Sequence, residues 1–259
     1  MNRLLWQIEE SLPKTAPGVK ENTIDAINLC LAKLKYQYKK NGKSYDEAKL
    51  RVLNIGSGKG LETIWMLQEF KFTVAALDAH EPYLDALYSL CEKEGFEDRI
   101  ELYCEDMNDL PFKKGFFDII ICEGSVNLIG FKNGVSYFKK FLKPGGMLVV
   151  SDYNLTKTDM PKELTRYFET FAPDINLLED RVKWCESEGL KVHATLKVPD
   201  EGWWKNYLSP MRAKSNELIR EYEMDQDKLK LINELLLDLN MREKYKEYYE
   251  FNFIIMQKK

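Results

Sequence analysis

A glycine-rich turn carries the strongest chemical signal in this sequence. The stretch RVLNIGSGKGLET (51–63) places Gly56, Gly58 and Gly60 between an apolar run and a segment with helical character. Glycines let the backbone turn sharply and approach a ligand closely, and the free N–H groups at the start of a helix point toward that ligand. Asp78 ends the next apolar run, where a carboxylate can accept hydrogen bonds from both hydroxyls of a ribose. Together these residues predict a site for a ligand that contains a nucleoside.

Two other nucleotide-binding motifs do not fit this turn. The dinucleotide-binding pattern G-x-G-x-x-G needs a glycine at position 61, which is occupied by Leu61. A P-loop needs serine or threonine after its lysine, and Lys59 is followed by Gly60. The spacing G-x-G-x-G therefore favours a ligand that presents no phosphate to the turn.

The segments around the turn alternate between short apolar runs and amphipathic stretches, as in a doubly wound parallel sheet. Nearly continuous apolar character predicts strands that are covered by helices on both faces, at 51–55, 72–78, 100–106, 116–124 and 147–152. Helical spacing predicts a helix at 81–94, with Leu90 on its buried face, that ends at Gly95.

The N-terminal and C-terminal parts of the chain have a different pattern of predicted elements from this core. Residues 1–46 predict one or two helices, with a turn at Pro17 and Gly18. Beyond Asp152, the pattern predicts a helix at 176–188, a sixth strand at 192–198 and a last strand at 250–257. Residues 200–247, between the last two strands, have helical character and predict a helical insertion.

The composition limits the classes of partner. The 259 residues include 42 acidic and 38 basic side chains without a long run of one sign, which argues against a nucleic-acid enzyme. No stretch approaches the roughly 20 apolar residues of a membrane span, so a cytoplasmic protein is expected. The five cysteines show no metal-ligand spacing, so neither a disulfide framework nor a metal site is predicted.

The order of these motifs resembles that of the class I S-adenosylmethionine-dependent methyltransferases. The glycine turn and Asp78 are followed by CEDMNDLPF (104–112), by FFDIIICEGSVNLIGF (116–131) and by an L-K-P-G-G turn at 142–146. The resemblance implies a cofactor, S-adenosyl-L-methionine, that is converted to S-adenosyl-L-homocysteine. It assigns cofactor binding to residues of the turn and of three strand ends: Asn54, Gly56, Ser57, Gly58, Gly60, Asp78, Ala79, Asp106, Met107, Glu123 and Gly124.

The resemblance also implies an architecture. It is a Rossmann-like α/β sheet of seven strands in the order 3-2-1-4-5-7-6, with the last strand antiparallel. The whole chain 1–259 is expected to form one domain, with a helical lid at 1–46, a cofactor-binding core at 47–155 and a C-terminal part at 156–259 that carries the insertion. The chain is most similar to small-molecule methyltransferases of ubiquinone and menaquinone biosynthesis. It also resembles a prokaryotic subgroup of them, through Glu123 to Phe131 and a W-x-x-Y-x-x-P segment at 204–210, which implies no particular acceptor.

The expected chemistry is in-line attack of a small-molecule acceptor on the sulfonium methyl group. Glu123 and Tyr153 are the candidate bases for an acceptor that must lose a proton. For Glu123 two other roles stay open, namely orienting the cofactor and capping the next turn. One position departs from the family, because Asn54 stands where an acidic residue is usual and supplies no charge to the cofactor's ammonium group.

Other assignments stay open at this point. Trp203, Trp204 and Tyr207 form either core or the wall of an acceptor pocket, whereas Cys122 is expected in the core. His80 either borders the ribose or is solvated. The alternative functions are an NAD(P)-dependent oxidoreductase, a non-catalytic cofactor-binding protein on the same scaffold, and a methyltransferase that acts on RNA or protein.

Overall fold

A seven-stranded sheet forms the centre of the computed structural model, which describes residues 3–259 apart from the side chains at positions 3 and 5. The strands are β1 (Arg51–Ile55), β2 (Thr73–Asp78), β3 (Ile100–Cys104), β4 (Phe117–Glu123), β5 (Leu142–Leu155), β6 (Leu190–Lys197) and β7 (Tyr249–Lys258). Their order is 3-2-1-4-5-7-6, and β7 runs antiparallel to both β5 and β6. The predicted fold class is confirmed.

Ten helices accompany the sheet within the described residues. They are α1 (Arg3–Glu9), α2 (Lys20–Lys40), α3 (Leu61–Glu69), α4 (Glu81–Glu94), α5 (Phe131–Phe138), α6 (Lys162–Phe171), α7 (Leu178–Ser187), α8 (Asp200–Trp203), α9 (Ser209–Glu221) and α10 (Gln226–Tyr245). A π-helical turn at Trp204–Leu208 joins α8 to α9, and short 3-10 turns lie at Glu47–Lys49, Glu97–Arg99 and Val126–Leu128. None of the helices in residues 3–259 combines the length and the apolar character that crossing a membrane requires.

Several element bounds differ by one or two residues from those predicted, and two local predictions fail. The L-K-P-G-G stretch lies inside β5, which begins at Leu142, because Phe117 pairs with Leu142 before a bulge brings Ile119 opposite Met147. Helix α4 has the predicted bounds and ends at Gly95 in the left-handed region, but Leu90 is 38% exposed and the expectation of a buried Leu90 is wrong. Residues at the margin of an apolar stripe depend on the curvature of the surface beneath the helix, which periodicity does not report.

The sheet separates two hydrophobic clusters, as the apolar strands require. Alternate residues such as Ile121 and Val149 face a cluster that includes side chains of α1, α2, α3, α4, α6 and the insertion. The intervening residues, such as Cys122 and Val150, face a cluster that includes side chains of α5 and α7. Both faces of each central strand are therefore buried, which explains why the strand sequences lack a polar alternation.

The N-terminal segment and the insertion meet near the carboxyl ends of the parallel strands. The Gly18 N–H donates to the Gly202 carbonyl (3.1 Å) and the Lys14 N–H donates to the Asn206 carbonyl (3.1 Å). The Trp203 ring contacts Tyr153 near the end of β5, at 5.7 Å between ring centroids. Both appendages thus lie at the sheet edge where ligands of open α/β sheets bind.

Candidate functional site

The glycine turn links β1 to α3 through a backbone that only glycine adopts easily. Gly56, Gly58 and Gly60 have φ values of 67°, 52° and 77°. A side chain at position 56 would place its Cβ 2.3 Å from the Ser125 Oγ. A Cβ at position 58 would have no heavy atom within 4 Å apart from those of the adjacent residues. The turn is therefore packed on one side and faces free space on the other.

Asp78 is held against the turn, as the sequence spacing predicts. Its Oδ2 accepts a hydrogen bond from the Gly58 N–H (2.8 Å), and its Oδ1 accepts one from the His80 N–H (3.0 Å). Burial raises the pKa of Asp78, while the two hydrogen bonds act in the opposite direction. The side chain is half-buried and Ala79 beside it is exposed, so the carboxylate is oriented and also accessible.

The residues that follow β3 lie next to this carboxylate, because Cys104 pairs with Asp78 in the sheet. Asp106 is exposed, and its Oδ1 accepts hydrogen bonds from the backbone (2.8 Å) and the side chain (2.9 Å) of Asn108. The Met107 Cε lies 3.5 Å from where a Cβ of Gly56 would stand. Met107 therefore contacts the turn, whereas Asp106 makes a local turn of its own.

Glu123, the last residue of β4, is buried in a charged environment. Its Oε1 lies 2.9 Å from the Lys14 Nζ, and its Oε2 accepts a hydrogen bond from the Thr23 hydroxyl (2.9 Å). Burial raises the pKa of Glu123, and the Lys14 ammonium group opposes that rise. Gly124 follows directly, and a Cβ there would overlap the Ala16 side chain at 2.2 Å. The end of β4 is thus covered closely by the segment between α1 and α2.

Lys14 also joins Glu123 to the glycine turn. Its Nζ lies 3.0 Å from the Glu62 Oε2 in the first turn of α3, while the Glu62 Oε1 accepts a hydrogen bond from the Asn54 amide (3.3 Å). The Asn54 amide donates a second bond to the Thr63 hydroxyl (2.9 Å). Burial alone disfavours the charged ammonium group, but the two carboxylates outweigh it and raise the pKa of Lys14. We refer to Lys14, Asn54, Glu62 and Glu123 as the lysine cluster.

Helix α1 and the residues after it close the rim of the site. The Trp6 ring stacks on the His80 ring with centroids 3.5 Å apart, and the His80 Nε2 lies 2.8 Å from the Glu10 Oε1. The Lys59 ammonium group donates to the Glu10 carbonyl at 2.5 Å, and burial lowers the pKa of Lys59. Lys59 and His80 are therefore contacts of the N-terminal segment rather than freely solvated side chains.

A cluster of aromatic side chains lies beside the end of β4. Tyr153 packs edge-on against Phe251 (5.0 Å between centroids) and Trp203 (5.7 Å), and the Phe251 ring reaches to 3.7 Å from where a Cβ of Gly124 would stand. Burial, followed by the nearby Asp238, raises the pKa of Tyr153 well above its usual value. Trp203 and Tyr207 are buried and Trp204 is half-buried. We refer to this group as the aromatic cluster.

One buried carboxylate lies beside the aromatic cluster. Asp238 on α10 is 6% exposed and accepts hydrogen bonds from the hydroxyls of Tyr167 (2.7 Å) and Tyr207. Burial raises the pKa of Asp238, against the effect of these hydrogen bonds. The Tyr249 hydroxyl and the Trp203 Nε1 are buried and have no hydrogen-bond partner among the described residues. The aromatic cluster therefore includes two polar groups without a hydrogen-bond partner in the described part of the chain, in the same region as a buried carboxylate.

Three candidate functional residues are not indicated by the sequence pattern, namely Lys14, Glu62 and Asp238. Glu62 resembles an ordinary acidic residue in the first turn of a helix, and Lys14 lies 48 residues before it in the chain. Asp238 lies in a helix rich in charged residues, where an acidic side chain usually faces solvent. No spacing rule connects these positions, because they meet only through the tertiary fold.

Cys122, which the sequence predicts in the core, and His193 lie outside the site. Cys122 is fully buried in the second hydrophobic cluster, and burial raises the pKa of its thiol. His193 lies on β6 with its Nε2 3.0 Å from the Gln257 side chain. A surface groove of about 590 Å³ between α7 and β6 includes His193 and none of the predicted cofactor residues. Among residues 3–259, no group of three or more His, Cys, Asp and Glu side chains is placed to hold a metal ion.

A family model and several solved structures match this chain. A family model described as a methyltransferase domain matches residues 46–216. YjhP from E. coli has the same fold over 100% of both chains, with a TM-score of 0.78 at 17% identity. A SAM-dependent methyltransferase from Geobacter sulfurreducens, solved with S-adenosyl-L-homocysteine, covers 100% of this chain and 99% of its own, with a TM-score of 0.77 at 15% identity.

Sequence relatives match a smaller part of the chain. A demethylmenaquinone methyltransferase from Clavibacter sepedonicus is 25% identical over 131 residues, which is 48% of this chain and 50% of that protein. The chain spans between 37% and 50% of the length of the curated relatives it matches.

Proposed function

Because the chain belongs to the methyltransferase-domain family, we propose that it transfers the methyl group of S-adenosyl-L-methionine to a small-molecule acceptor. The similar protein from Geobacter sulfurreducens was solved with S-adenosyl-L-homocysteine, the demethylated form of this cofactor. The cofactor supplies an electrophilic sulfonium methyl group when it is bound. The protein's contribution is to hold acceptor and methyl group in line, which can supply about 7–11 kcal/mol. Family membership favours this activity over the NAD(P)-dependent alternative.

The residues around the glycine turn fit this cofactor. Position 58 faces free space, and the half-buried Asp78 is oriented beside it by the Gly58 N–H. The Asn54 Oδ1 and the Ser57 Oγ are buried without a hydrogen-bond partner among the described residues, so a ligand can use them. We assign cofactor binding to the set predicted from the sequence: Asn54, Gly56, Ser57, Gly58, Gly60, Asp78, Ala79, Asp106, Met107, Glu123 and Gly124.

The observation that carries the small-molecule assignment is the closure of the sheet edge by the chain's own segments. Ala16 covers Gly124, and Gly18 and Lys14 are hydrogen-bonded to the insertion at Gly202 and Asn206. The end of β4 is therefore covered by the chain's own segments and by packed aromatic side chains, which favours a compact acceptor over a macromolecule. Residues 1–46 and the insertion at 200–247 act as a lid in this proposal.

The two candidate bases receive different roles. Glu123 is engaged by Lys14 and Thr23, which supports a role in orienting the cofactor and disfavours a role as base. Tyr153 keeps its proton at neutral pH because its pKa is raised well above the usual value. We assign it to the aromatic cluster beside the end of β4, where its ring packs against Trp203 and Phe251.

The acceptor class is tested by labelling. Purified protein is incubated with S-adenosylmethionine that carries a tritiated methyl group and with a cell extract separated into metabolite, protein and RNA fractions. The expected result is label transfer in the metabolite fraction only. Transfer into the protein or RNA fraction would contradict the small-molecule assignment. Binding without transfer into any fraction would favour the non-catalytic alternative.

The ribose assignment is tested by Asp78→Asn. We expect this variant to bind S-adenosylhomocysteine about tenfold more weakly or worse, because charge-assisted hydrogen bonds are about twice as strong as neutral ones. Isothermal titration calorimetry measures the dissociation constant. Asp85→Asn, which changes an exposed carboxylate on α4, is the matched control and should leave it unchanged. Equal affinities of the two variants would remove Asp78 from the site.

A further inference from the structure

A small cavity lies at the amino ends of β4 and β5, the opposite end of the sheet from the glycine turn. Its volume is about 320 Å³, which is at the lower end of the range for small-molecule sites. We refer to it as the basal pocket, and its lining includes Gln37, Tyr38, Lys43, Asp118, Lys143 and Pro144. Lys143 and Pro144 belong to the L-K-P-G-G stretch, to which the proposed cofactor site assigns no role.

The basal pocket contains two lysines and one buried carboxylate. Asp118 is 2% exposed, and its Oδ2 accepts hydrogen bonds from the Lys143 ammonium group (2.6 Å) and the Arg51 N–H (3.0 Å). Its Oδ1 accepts one from the Tyr38 hydroxyl (3.4 Å). Lys143 and Asp118 therefore balance each other, whereas Lys43 forms no ion pair within the described part of the chain. The pocket has a surplus of one positive charge.

The charges around the pocket do not remove this surplus. Asp46 pairs with Lys49 (3.4 Å), and the Glu47 Oε1 accepts a backbone N–H (2.8 Å). Lys39 and Lys40, in the last turn of α2, have no ion-pair partner among residues 3–259. The C-terminal end of α2 is therefore a positive region on a chain whose formal net charge is −4, and its field attracts small anions.

The walls of the pocket are held in place by hydrogen bonds between distant segments. The Gln37 side chain donates to the Pro144 carbonyl (3.5 Å) and accepts from the Gln257 side chain (3.0 Å), which also donates to the Gly145 carbonyl (2.9 Å). Gly145 has a φ of 74°, and a Cβ there would overlap the Gln37 side chain. Leu34 and Pro144 add apolar surface to the lining. A ligand thus meets a formed site and avoids the cost of ordering it.

We propose that the basal pocket binds a small organic carboxylate as a second ligand, distinct from the cofactor. A carboxylate carries the single negative charge that matches the surplus at Lys43, and it accepts hydrogen bonds from the ammonium groups of Lys43 and Lys143. Asp118 and Glu123 lie at opposite ends of β4, about 17 Å apart along the strand. The ligand of the basal pocket is therefore not the methyl acceptor, and this inference does not depend on the proposed function.

The experiment compares two probes that share a ring and differ in charge. Fluorine NMR measures the binding of 4-fluorobenzoate and of 4-fluorobenzamide to the full chain at neutral pH. The carboxylate is expected to bind about tenfold more tightly than the amide, because charge-assisted hydrogen bonds are about twice as strong as neutral ones. S-adenosylhomocysteine should not displace it. Displacement would place the probe in the cofactor site and overturn the inference.

A lysine variant tests whether the preference for the carboxylate comes from the basal pocket. Lys43→Met removes an exposed side chain and leaves the Lys143–Asp118 pair intact. It should weaken 4-fluorobenzoate about tenfold and leave 4-fluorobenzamide within about twofold. Lys35→Met, which removes an exposed lysine of α2 outside the pocket lining, is the matched control and should change neither affinity.

Three results would overturn the inference. The first is equal affinity of the wild-type protein for the two probes, or no binding of 4-fluorobenzoate at about 10 mM. The second is binding of 4-fluorobenzoate that Lys43→Met leaves unchanged. The third is tighter binding of 4-fluorophenyl phosphate than of 4-fluorobenzoate, which would assign the pocket to a phosphate ester.

Discussion

Two buried ion clusters lie on opposite faces of the sheet and differ in how well their charges are matched. On one face, Lys14 meets two buried carboxylates beside unpartnered acceptor atoms. On the other face, Arg181 on α7 pairs with Asp152 near the end of β5 at 2.8 Å. Their side chains are 1% and 2% exposed, so both clusters are shielded from water.

The cluster around Arg181 is largely saturated. The Arg181 guanidinium group donates to the carbonyls of Tyr153 (2.8 Å) and Asp174 (3.2 Å), and it stacks on the Phe131 ring at 4.3 Å. Its Nε is the atom left without a hydrogen-bond partner within the described chain. Because nearly all hydrogen-bonding groups of this pair are used, the pair links α7 to β5 and has few groups left for a ligand. The difference between the clusters is that the charges around Arg181 are matched within the fold, whereas those around Lys14 include one surplus carboxylate.

Arg181→Met should have the largest effect on stability. It leaves the buried Asp152 carboxylate without its cationic partner, and losing one partner of a buried pair costs about 3–5 kcal/mol. Urea unfolding at pH 7 measures the free energy of unfolding. Lys183→Met, on the exposed side of the same helix, should shift it by about 0.5 kcal/mol or less. A loss below about 1 kcal/mol for Arg181→Met would contradict the structural role of this cluster.

The second-largest effect should be on the pH dependence of stability, through the ionisation of Asp152. Burial raises the pKa of Asp152 from 3.8 to about 6, although Arg181 opposes the rise. Because the folded state holds this proton more tightly than the unfolded state, the contribution is complete below pH 4 and is lost as the pH rises toward 6. It amounts to about 3 kcal/mol for a shift of roughly two pKa units. Asp152→Asn is expected to be less stable than the wild type, and its free energy of unfolding should not decline in this way as the pH rises. If the free energies of unfolding of the wild type and Asp152→Asn differed by the same amount at every pH from 4 to 7, this role of Asp152 would be contradicted.

Glu62→Gln should have the smallest effect on stability. It reduces the lysine cluster to one ammonium group and one carboxylate, so the surplus charge disappears and the free energy of unfolding should change by about 1 kcal/mol or less. Urea unfolding of the ligand-free protein provides the measurement. A loss as large as that of Arg181→Met would show that both clusters serve the fold alike, and the contrast between the two faces would fail.

Local sequence features predicted most of the sheet. Strand β1 has the predicted bounds, and α4 ends at Gly95 as expected, because apolar runs and left-handed glycines act over short distances. The strand order came from the family resemblance and is confirmed. The start of β5 at Leu142 was missed, since a bulge depends on the neighbouring strand and not on the residues that form it.

The candidate site divides in the same way. The sequence by itself determined the glycine turn, the acidic residue at the end of β2 and the family, because these lie within one βαβ unit and the spacing is set by the local geometry. Only the tertiary structure decided that Lys14, Glu62 and Glu123 share a buried cluster, and that Asp238 faces Tyr207. Charged side chains usually face solvent, and their burial depends on which distant segments cover them. The long-range packing of the N-terminal segment and the insertion therefore determines which of these residues are buried and which groups they contact.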